Sequence, residues 1–423
     1  DGIVGPHHEK EGSFYTIKQL WSPVQIMNTS VDKQFDGKFS VENRYDFLNL
    51  NTCRFLWKQV KFPTATDASN TTAQVLKQGE VQGSDVAAHS AGVLDIKTTI
   101  LPDADALFLT AIDRYGHELW RWTFPVNKLN QANEVLSPLS NKVTSTETEN
   151  ELTVKAKNHT FIFSKKDGQL KGVSVNNRKI SFANGPRFIG ARRADRSLDQ
   201  FYNHDDEKAK EKDRTYSEFP DAAVFTKLDV KEDGGNLIVT ADYKLGNLDK
   251  VQWTINPNGE AVLDYTYNFS GVVDLMGICF DYPEDQVISK RWLGAGPYRV
   301  WQNRIHGTQY DVWENDYNDP IPGETFTYPE FKGYFGDVSW MNIQTKEGTI
   351  SLTNETPDAY IGVYQPRDGR DRLLYTLPES GISVLNVIPP VRNKVNSTDL
   401  CGPSSQPKWV NGPQTGRVIF RFM

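Results

Sequence analysis

Cysteine is scarce in this sequence, with 3 residues among 423, and long apolar runs are missing altogether. Cys53, Cys279 and Cys401 are far apart and odd in number. They therefore indicate neither a disulfide framework nor the close ligand spacing of a metal site, and we expect isolated buried thiols. A membrane-spanning helix needs about 20 consecutive apolar residues, so the sequence predicts no membrane span.

The chain also has fewer basic than acidic residues, 47 against 54. The formal net charge is −7, and the acidic residues are scattered along the chain. A nucleic-acid-binding protein needs a basic face to neutralise phosphates, so we expect no nucleic acid and instead a neutral or weakly polar partner. No signal peptide is visible and the chain begins with Asp1 rather than Met, so we expect that its beginning was removed. The compartment stays open, with a periplasmic or extracellular one slightly favoured over the cytoplasm.

Aromatic residues are abundant, with 22 Phe, 17 Tyr and 10 Trp. This composition is typical of β-sheets and also suits surfaces that stack on sugar rings. Short runs of alternating apolar and polar residues include Phe39–Phe47, Cys53–Val60 and Leu107–Ile112. They predict a two-sheet sandwich of about 100 residues, the size of an immunoglobulin-like module. Strand-like runs continue over residues 151–423 and predict a large antiparallel double sheet.

One short helix is expected near the start of the chain. Apolar residues recur there at helical spacing, namely Phe14, Ile17, Leu20 and Trp21. They predict an amphipathic helix at residues 13–21, whose apolar side has no partner in an otherwise β chain. The polar composition of residues 126–150 is typical of a linker. The expected segments are a remnant of another domain (1–26), a β-sandwich (27–125), a linker (126–150) and a large β-unit (151–423).

Trp292–Arg304 reads WLGAGPYRVWQNR, in which turn glycines, a proline and an aromatic residue coincide at fixed offsets. This string resembles the W-x-G-x-G-P-x-E-x-Y-x-D-R pattern in the carboxy-terminal half of β-galactosidases of glycoside hydrolase family 2, with Arg299 and Asn303 in place of the two acids. Val41–Phe47 resembles the first hairpin of the family's immunoglobulin-like domain, and Asp337–Trp340 resembles a stretch of its last domain.

The resemblance implies a fold and a parent activity. Residues 1–26 would end a (β/α)8 barrel, an immunoglobulin-like β-sandwich would follow, and a galactose-mutarotase-like β-supersandwich would complete the chain. The catalytic glutamates of the resembled family lie on barrel strands upstream, so we expect no catalytic residue here. The implied partners are the missing amino-terminal and barrel domains and, for the full enzyme, a β-galactoside. A homo-oligomer and a divalent cation are also compatible with the resemblance for the full enzyme.

Five residues are candidates for carbohydrate binding, and the first three are Trp409, Trp301 and Arg304. The resemblance implies an aromatic residue near the carboxy-terminal end at the sugar subsite, where Trp409 stands, and an indole face can stack on a galactose ring. The alternative is a loop tryptophan packed on its own sheet. Trp301 and Arg304 invite the same comparison. Arginine can hydrogen-bond sugar hydroxyls or anchor a turn through backbone carbonyls, and both interpretations stay open.

His306 and Glu330 are further candidates, because a true aldose epimerase uses a histidine general acid and a glutamate general base. A lone histidine beside an arginine is more often structural. The acidic run Glu314–Asp319 could supply oxygen ligands to Ca²⁺, but it lacks the spacing of an EF-hand loop and is more typical of a polar turn. We therefore predict no metal-binding residues.

Other functional interpretations remain beside a β-galactosidase-like hydrolase fragment. A stand-alone carbohydrate-binding protein would have no need of the unpartnered helix at residues 13–21. A structural β-protein would show an exposed apolar patch and no sugar cleft. Related hydrolases with the same modular order act on β-glucuronides or β-mannosides, and their selectivity lies mostly in barrel loops.

Overall fold

The protein is mainly β, as predicted, in the part of the chain that the computed structural model describes. That part comprises residues 3–4, 8, 10, 12–67, 72–126, 142–193, 216–316, 333–363, 378, 380–390 and 402–423. Its one α-helix, α1, is Gly12–Leu20. No helix in these ranges is long and apolar enough to cross a membrane.

The sheets are built from antiparallel strand pairs. The strands are β1 (Val24–Ile26), β2 (Lys38–Asn43), β3 (Arg54–Lys61), β4 (Gln74–Gln82), β5 (Ser90–Asp95), β6 (Ala106–Ile112), β7 (Glu118–Pro125), β8 (Thr144–Glu147), β9 (Glu151–Ala156), β10 (His159–Ser164), β11 (Leu170–Val175), β12 (Arg178–Ile180), β13 (Ala183–Arg193), β14 (Tyr216–Glu218), β15 (Val224–Asp233), β16 (Asn236–Lys244), β17 (Leu248–Ile255), β18 (Ala261–Val273), β19 (Leu275–Asp281), β20 (Val287–Gly296), β21 (Gln309–Asp316), β22 (Trp340–Thr345), β23 (Gly348–Asn354), β24 (Tyr360–Val363), β25 (Ile382–Val387) and β26 (Lys408–Phe422).

The chain divides into two compact units. The first unit holds the described residues of Asp1–Glu134, Trp292–Tyr298 and His306–Glu314. The second unit holds those of Val135–Arg291, Arg299–Ile305 and Asn315–Met423. The domain boundaries expected at residues 26, 125 and 150 stay predictions.

The first unit is a sandwich of two sheets. One sheet has the order β1-β2-β5 and the other β4-β3-β6-β7. Their inward-facing residues form one apolar core, in which the rings of Phe39 and Phe124 lie 5.0 Å apart. Alternation along each strand explains this core, since every second side chain points to the same face. Helix α1 has no buried residue, and Trp21 after it is 78% exposed.

The second unit is a larger double sheet. One sheet has the order β24-β25-β19-β13-β11-β10-β9-β8, with β12 beside β11 and β14 beside β13. The other runs β15-β16-β17-β18-β26-β23-β22 within this unit. Aromatic rings from both sheets meet in the core: Phe280 of β19 lies 6.0 Å from Trp253 of β17 and 5.5 Å from Phe420 of β26. The long β18–β26 pairing fixes the register of the second sheet, from Ala261 opposite Phe420 to Val273 opposite Lys408.

Candidate functional site

A cavity of about 350 Å³ lies within the second unit. It is lined from one sheet by Arg187 of β13 and Cys279 of β19, and from the other by Tyr243 of β16 and Leu248 of β17. The hairpin that joins β10 to β11 contributes Lys166, Asp167 and Gln169. We call this space the Arg187 cavity.

The hairpin reaches the cavity because Gly168 allows a close approach. Gly168 has a φ of +72°, a conformation that side chains with a Cβ rarely adopt, and a Cβ there would lie 2.7 Å from the Tyr243 hydroxyl. Tyr243 donates its hydroxyl hydrogen to the Asp167 carbonyl oxygen at 2.8 Å. Burial raises the pKa of Tyr243, so this phenol stays protonated and keeps donating.

The lining residue Arg187 belongs to a row of polar groups that continues just outside the cavity. The Arg187 guanidinium donates from Nη2 to Asp281 Oδ1 at 2.6 Å, and Asn184 donates to the other carboxylate oxygen at 2.7 Å. The Nε of Arg187 is buried without a hydrogen-bond partner among the described residues. Arg187 and Asp281 keep 38% and 44% of their side-chain surface exposed, so a ligand can reach them.

The second ion pair at the cavity joins Asp167 to Lys171 at 2.7 Å. Burial alone would raise the pKa of Asp167, but the hydrogen bonds from Lys171 and the Gln169 N–H outweigh it and lower the pKa overall. Asp167 is therefore an ionised acceptor at neutral pH and is poorly suited to act as a general acid.

The structure brings two of the predicted carbohydrate-binding residues together in one turn. Trp301 N–H donates to the Arg304 carbonyl at 3.3 Å, and Arg304 N–H donates to the Trp301 carbonyl at 2.9 Å. The Trp301 indole is 3% exposed and packs edge-on against Tyr334, with ring centroids 5.5 Å apart. This burial favours an anchoring role for Trp301.

The same turn is tied to the segment that leads to Trp409. Gln302 donates to the Gln406 carbonyl at 2.7 Å, and Asn303 donates to the Ser405 hydroxyl at 3.1 Å. Trp409 itself is 70% exposed at the start of β26. Alternation along β26 turns Trp409 away from the core, because Phe420 and the other even-numbered residues from Val410 onward face inward.

The remaining predicted residues lie elsewhere. His306 is exposed and belongs to the first unit, where its carbonyl accepts a hydrogen bond from the Thr16 hydroxyl at 2.7 Å. Glu330 lies outside the described residues. Of the acidic run, Glu314–Asp316 is described and ends β21. In the described ranges, no group of three or more His, Cys, Asp or Glu residues is placed to hold a metal ion.

The family model of the beta galactosidase small chain matches residues 155–388, which is more than half of the chain. The chain belongs to this family. The match confirms the relation to β-galactosidases that the Trp292–Arg304 string indicated. It covers every residue that lines the Arg187 cavity, as well as Trp301 and Arg304, and it ends before Trp409.

Three solved structures illustrate the similarity of the chain to known folds. The galactose 1-epimerase of Lactobacillus acidophilus has a TM-score of 0.38 and 8% identity, with 67% of this chain and 99% of that one covered. A putative mutarotase of Salmonella typhimurium has a TM-score of 0.31 and 8% identity, with 69% and 97% covered. The cycloalternan-forming enzyme of Listeria monocytogenes has a TM-score of 0.21 and 9% identity, with 95% and 30% covered. No curated protein matches the chain.

The Arg187 cavity of this small-chain family member was missed by sequence reasoning. Its lining residues come from distant parts of the chain, and each occurs in an ordinary strand or turn. The nearest signal is Gly185-Pro186, a turn-like pair just before Arg187 inside a strand-like stretch. A register shift does occur in β13 between Ala183 and Arg187, and a bulge of this kind can redirect a side chain.

Two of the three cysteines, Cys53 and Cys279, lie among the described residues, and both are free and buried. Burial raises the pKa of Cys279 to about 11, although the nearby Arg187 opposes this, and burial also raises the pKa of Cys53. Because the thiolate is the reactive form, we expect neither to react with a disulfide reagent near pH 8 until the protein unfolds. Labelling should be done in a Cys401→Ser background, so that Cys401, which lies outside the described residues, does not contribute to the signal. Rapid labelling of native Cys279 would contradict this expectation.

Proposed function

We propose that this chain is the non-catalytic region of a β-galactosidase-type glycoside hydrolase, which supports the catalytic domain and contributes to its sugar subsite. The family match over residues 155–388 is the observation that carries the proposal. A terminal β-galactoside is the substrate that the family name favours for the full enzyme.

The state of the carboxyl groups supports a non-catalytic role. A retaining glycosidase needs two carboxyl groups about 5 Å apart, one of them protonated at working pH. Asp167, which lines the Arg187 cavity, is paired with Lys171, and Asp281 just outside the cavity is paired with Arg187. Among the described residues, burial raises the pKa of two carboxyl groups, Asp105 and Asp311, and each has a structural partner. Asp105 accepts from the backbone of Phe62, and Asp311 pairs with an arginine.

The purified chain should not hydrolyse a nitrophenyl β-galactoside. The expected release of nitrophenol equals that of buffer, while an authentic β-galactosidase in the same assay gives a strong signal. Release that increases in proportion to chain concentration and persists through successive purification steps would overturn the non-catalytic role. Nitrophenyl β-glucuronide and β-mannoside in parallel wells would reveal activity of the related classes.

Trp409 is the residue we propose as a sugar contact, because its exposed indole can stack on the apolar side of a pyranose. Titration with methyl β-galactoside should change the tryptophan fluorescence of the chain, and Trp409→Phe should remove that change. Stacking contributes roughly 0.5–1.5 kcal/mol, which corresponds to an affinity loss of about two- to tenfold for Trp409→Ala. Tyr115→Ala removes a similarly exposed ring in the first unit and should have no effect. A flat titration of the wild-type chain would remove this contact from the isolated chain.

A further inference from the structure

The Arg187 cavity has a volume that suits one sugar ring. Its volume of about 350 Å³ is at the lower end of the roughly 300–1,000 Å³ that small-molecule sites occupy. A site of that size takes a monosaccharide or the last ring of a glycoside. Its lining residues come from β13 and β19 of one sheet and from β15, β16 and β17 of the other.

Four of the residues that line the cavity are aromatic, namely Phe188, Phe219, Phe225 and Tyr243. Phe188 and Phe219 both pack on Phe269, with ring centroids 6.0 and 5.3 Å away. Phe225 and Tyr243 form a cross-strand pair whose rings are 5.9 Å apart. Rings fixed in this way offer apolar faces at little entropic cost, and the C–H side of a pyranose stacks on such faces.

The charges that line the cavity are mixed in sign. Lys166 and Arg187 are cationic, and Asp167, Glu218 and Asp221 are anionic. Two of these charges are already compensated by residues just outside the lining, Asp281 and Lys171. A site for a phosphate or another anion would need an excess of donors and positive charge, which this lining lacks. Interleaved donors and acceptors instead match hydroxyl groups, which both donate and accept.

We propose that the Arg187 cavity binds a single neutral pyranose ring, with its apolar side on the aromatic rings and its hydroxyls on Arg187 and Glu218. Arg187 supplies N–H donors, and the Glu218 carboxylate accepts from sugar hydroxyls. The site goes beyond the proposed contact at Trp409. Alternation places Trp409 on the outer side of its sheet, whereas Tyr243 shares the inward-facing set of β16 with Val239 and Ala241.

The test is calorimetric titration of the full chain with methyl β-galactopyranoside in a Trp409→Ala background, so that the outer contact does not contribute. Binding should persist in this background. Adding Arg187→Met should weaken it at least tenfold, because the substitution removes the donors but keeps an unbranched chain. Arg417→Met is the matched control: Arg417 pairs with Asp264 at 3.0 Å, is similarly exposed, and lies on the outer side of β26. It should leave binding unchanged.

Arg187→Met leaves the Asp281 carboxylate without its ion-pair partner, so a second variant tests the proposal independently of any misfolding. Glu218→Gln keeps the side-chain size and should weaken binding severalfold while the circular dichroism spectrum stays that of the parent. The proposal fails if the Trp409→Ala chain binds no sugar, and that result leaves the Trp409 contact intact. It also fails if Glu218→Gln binds as tightly as the parent. Tighter binding of galactose 6-phosphate or inorganic phosphate than of the methyl glycoside would overturn the choice of a neutral ligand.

Discussion

Trp253→Ala should lower the denaturant concentration at which the second unit unfolds by more than about 1 M urea. Trp253 is 1% exposed, and its ring lies 6.2 Å from Phe163 and 6.0 Å from both Phe280 and Phe420. Removing a buried tryptophan costs roughly 3–5 kcal/mol, through lost burial and the cavity left behind. Urea m-values of about 1–3 kcal/mol per molar convert this loss into the expected shift.

Trp409→Ala is the matched control for that experiment. It is the same substitution in the same unit, at a side chain that is 70% exposed, so the free energy of unfolding should change by no more than about 0.5 kcal/mol. The loss of unfolding free energy for Trp253→Phe should lie between the losses for the two alanine variants. The indole N–H of Trp253 has no hydrogen-bond partner among the described residues, so its loss costs no hydrogen bond. Equal shifts for both alanine variants would show that the aromatic core does not determine the stability of this unit.

The fold class could be predicted because alternation is a local property of the sequence. The runs at Cys53–Val60 and Leu107–Ile112 correspond to β3 and β6 within a residue at each end. The run at Phe39–Phe47 was too long, since β2 ends at Asn43. The Asn43 side chain donates to the carbonyls of Leu48 and Val86 and accepts from a backbone N–H two residues on. That network turns the chain, and Val86 belongs to a distant loop, so the sequence near β2 does not reveal it.

The predicted helix was nearly right for the same reason. It begins at Gly12 and ends at Leu20, one residue from the expected limits at each end, because helical spacing is also local. The expectation that its apolar side has no partner was wrong: Phe14 and Ile17 are half-buried, and Tyr15 packs on Tyr298 with ring centroids 5.0 Å apart. Its proposed relation to a catalytic barrel stays a prediction.

The candidate site was harder to predict, because it depends on which strands meet. Arg187, Glu218 and Tyr243 lie in different strands, and alternation gives the face of each side chain but not its neighbour on the opposite sheet. The sequence also did not reveal which tryptophan side chains are exposed. Trp301 and Trp409 looked alike as isolated tryptophans, yet one is buried against Tyr334 and the other points outward. Only pairing between distant strands distinguishes them.

Arg121→Met should destabilise the first unit by roughly 2–3 kcal/mol, because breaking a largely buried ion pair leaves a carboxylate without its partner. Arg121 donates to Asp311 at 3.0 Å and to Gln309 at 2.6 Å, and its guanidinium lies 4.6 Å from the Phe108 ring centroid. The pair keeps 22% and 15% of its side-chain surface exposed, so we expect less than the full penalty of a dry interior. Arg54→Met, which breaks the exposed pair between Arg54 and Glu80, should cost less than about 1 kcal/mol.

The double variant Arg121→Met with Asp311→Leu should recover at least half of that loss, since no unpaired charge remains.

The pH dependence of stability gives an independent check on the Arg121–Asp311 pair. Burial raises the pKa of Asp311 even though Arg121 lowers it, so the folded state holds this proton more tightly than the unfolded state. Its contribution to stability therefore falls as the pH rises through the raised pKa. Without Arg121 the pKa should rise further, so Arg121→Met should gain more stability than wild type on acidification from neutral pH, as measured by urea midpoints. The double variant should lose this dependence, and parallel pH profiles for all three proteins would contradict the role assigned to the pair.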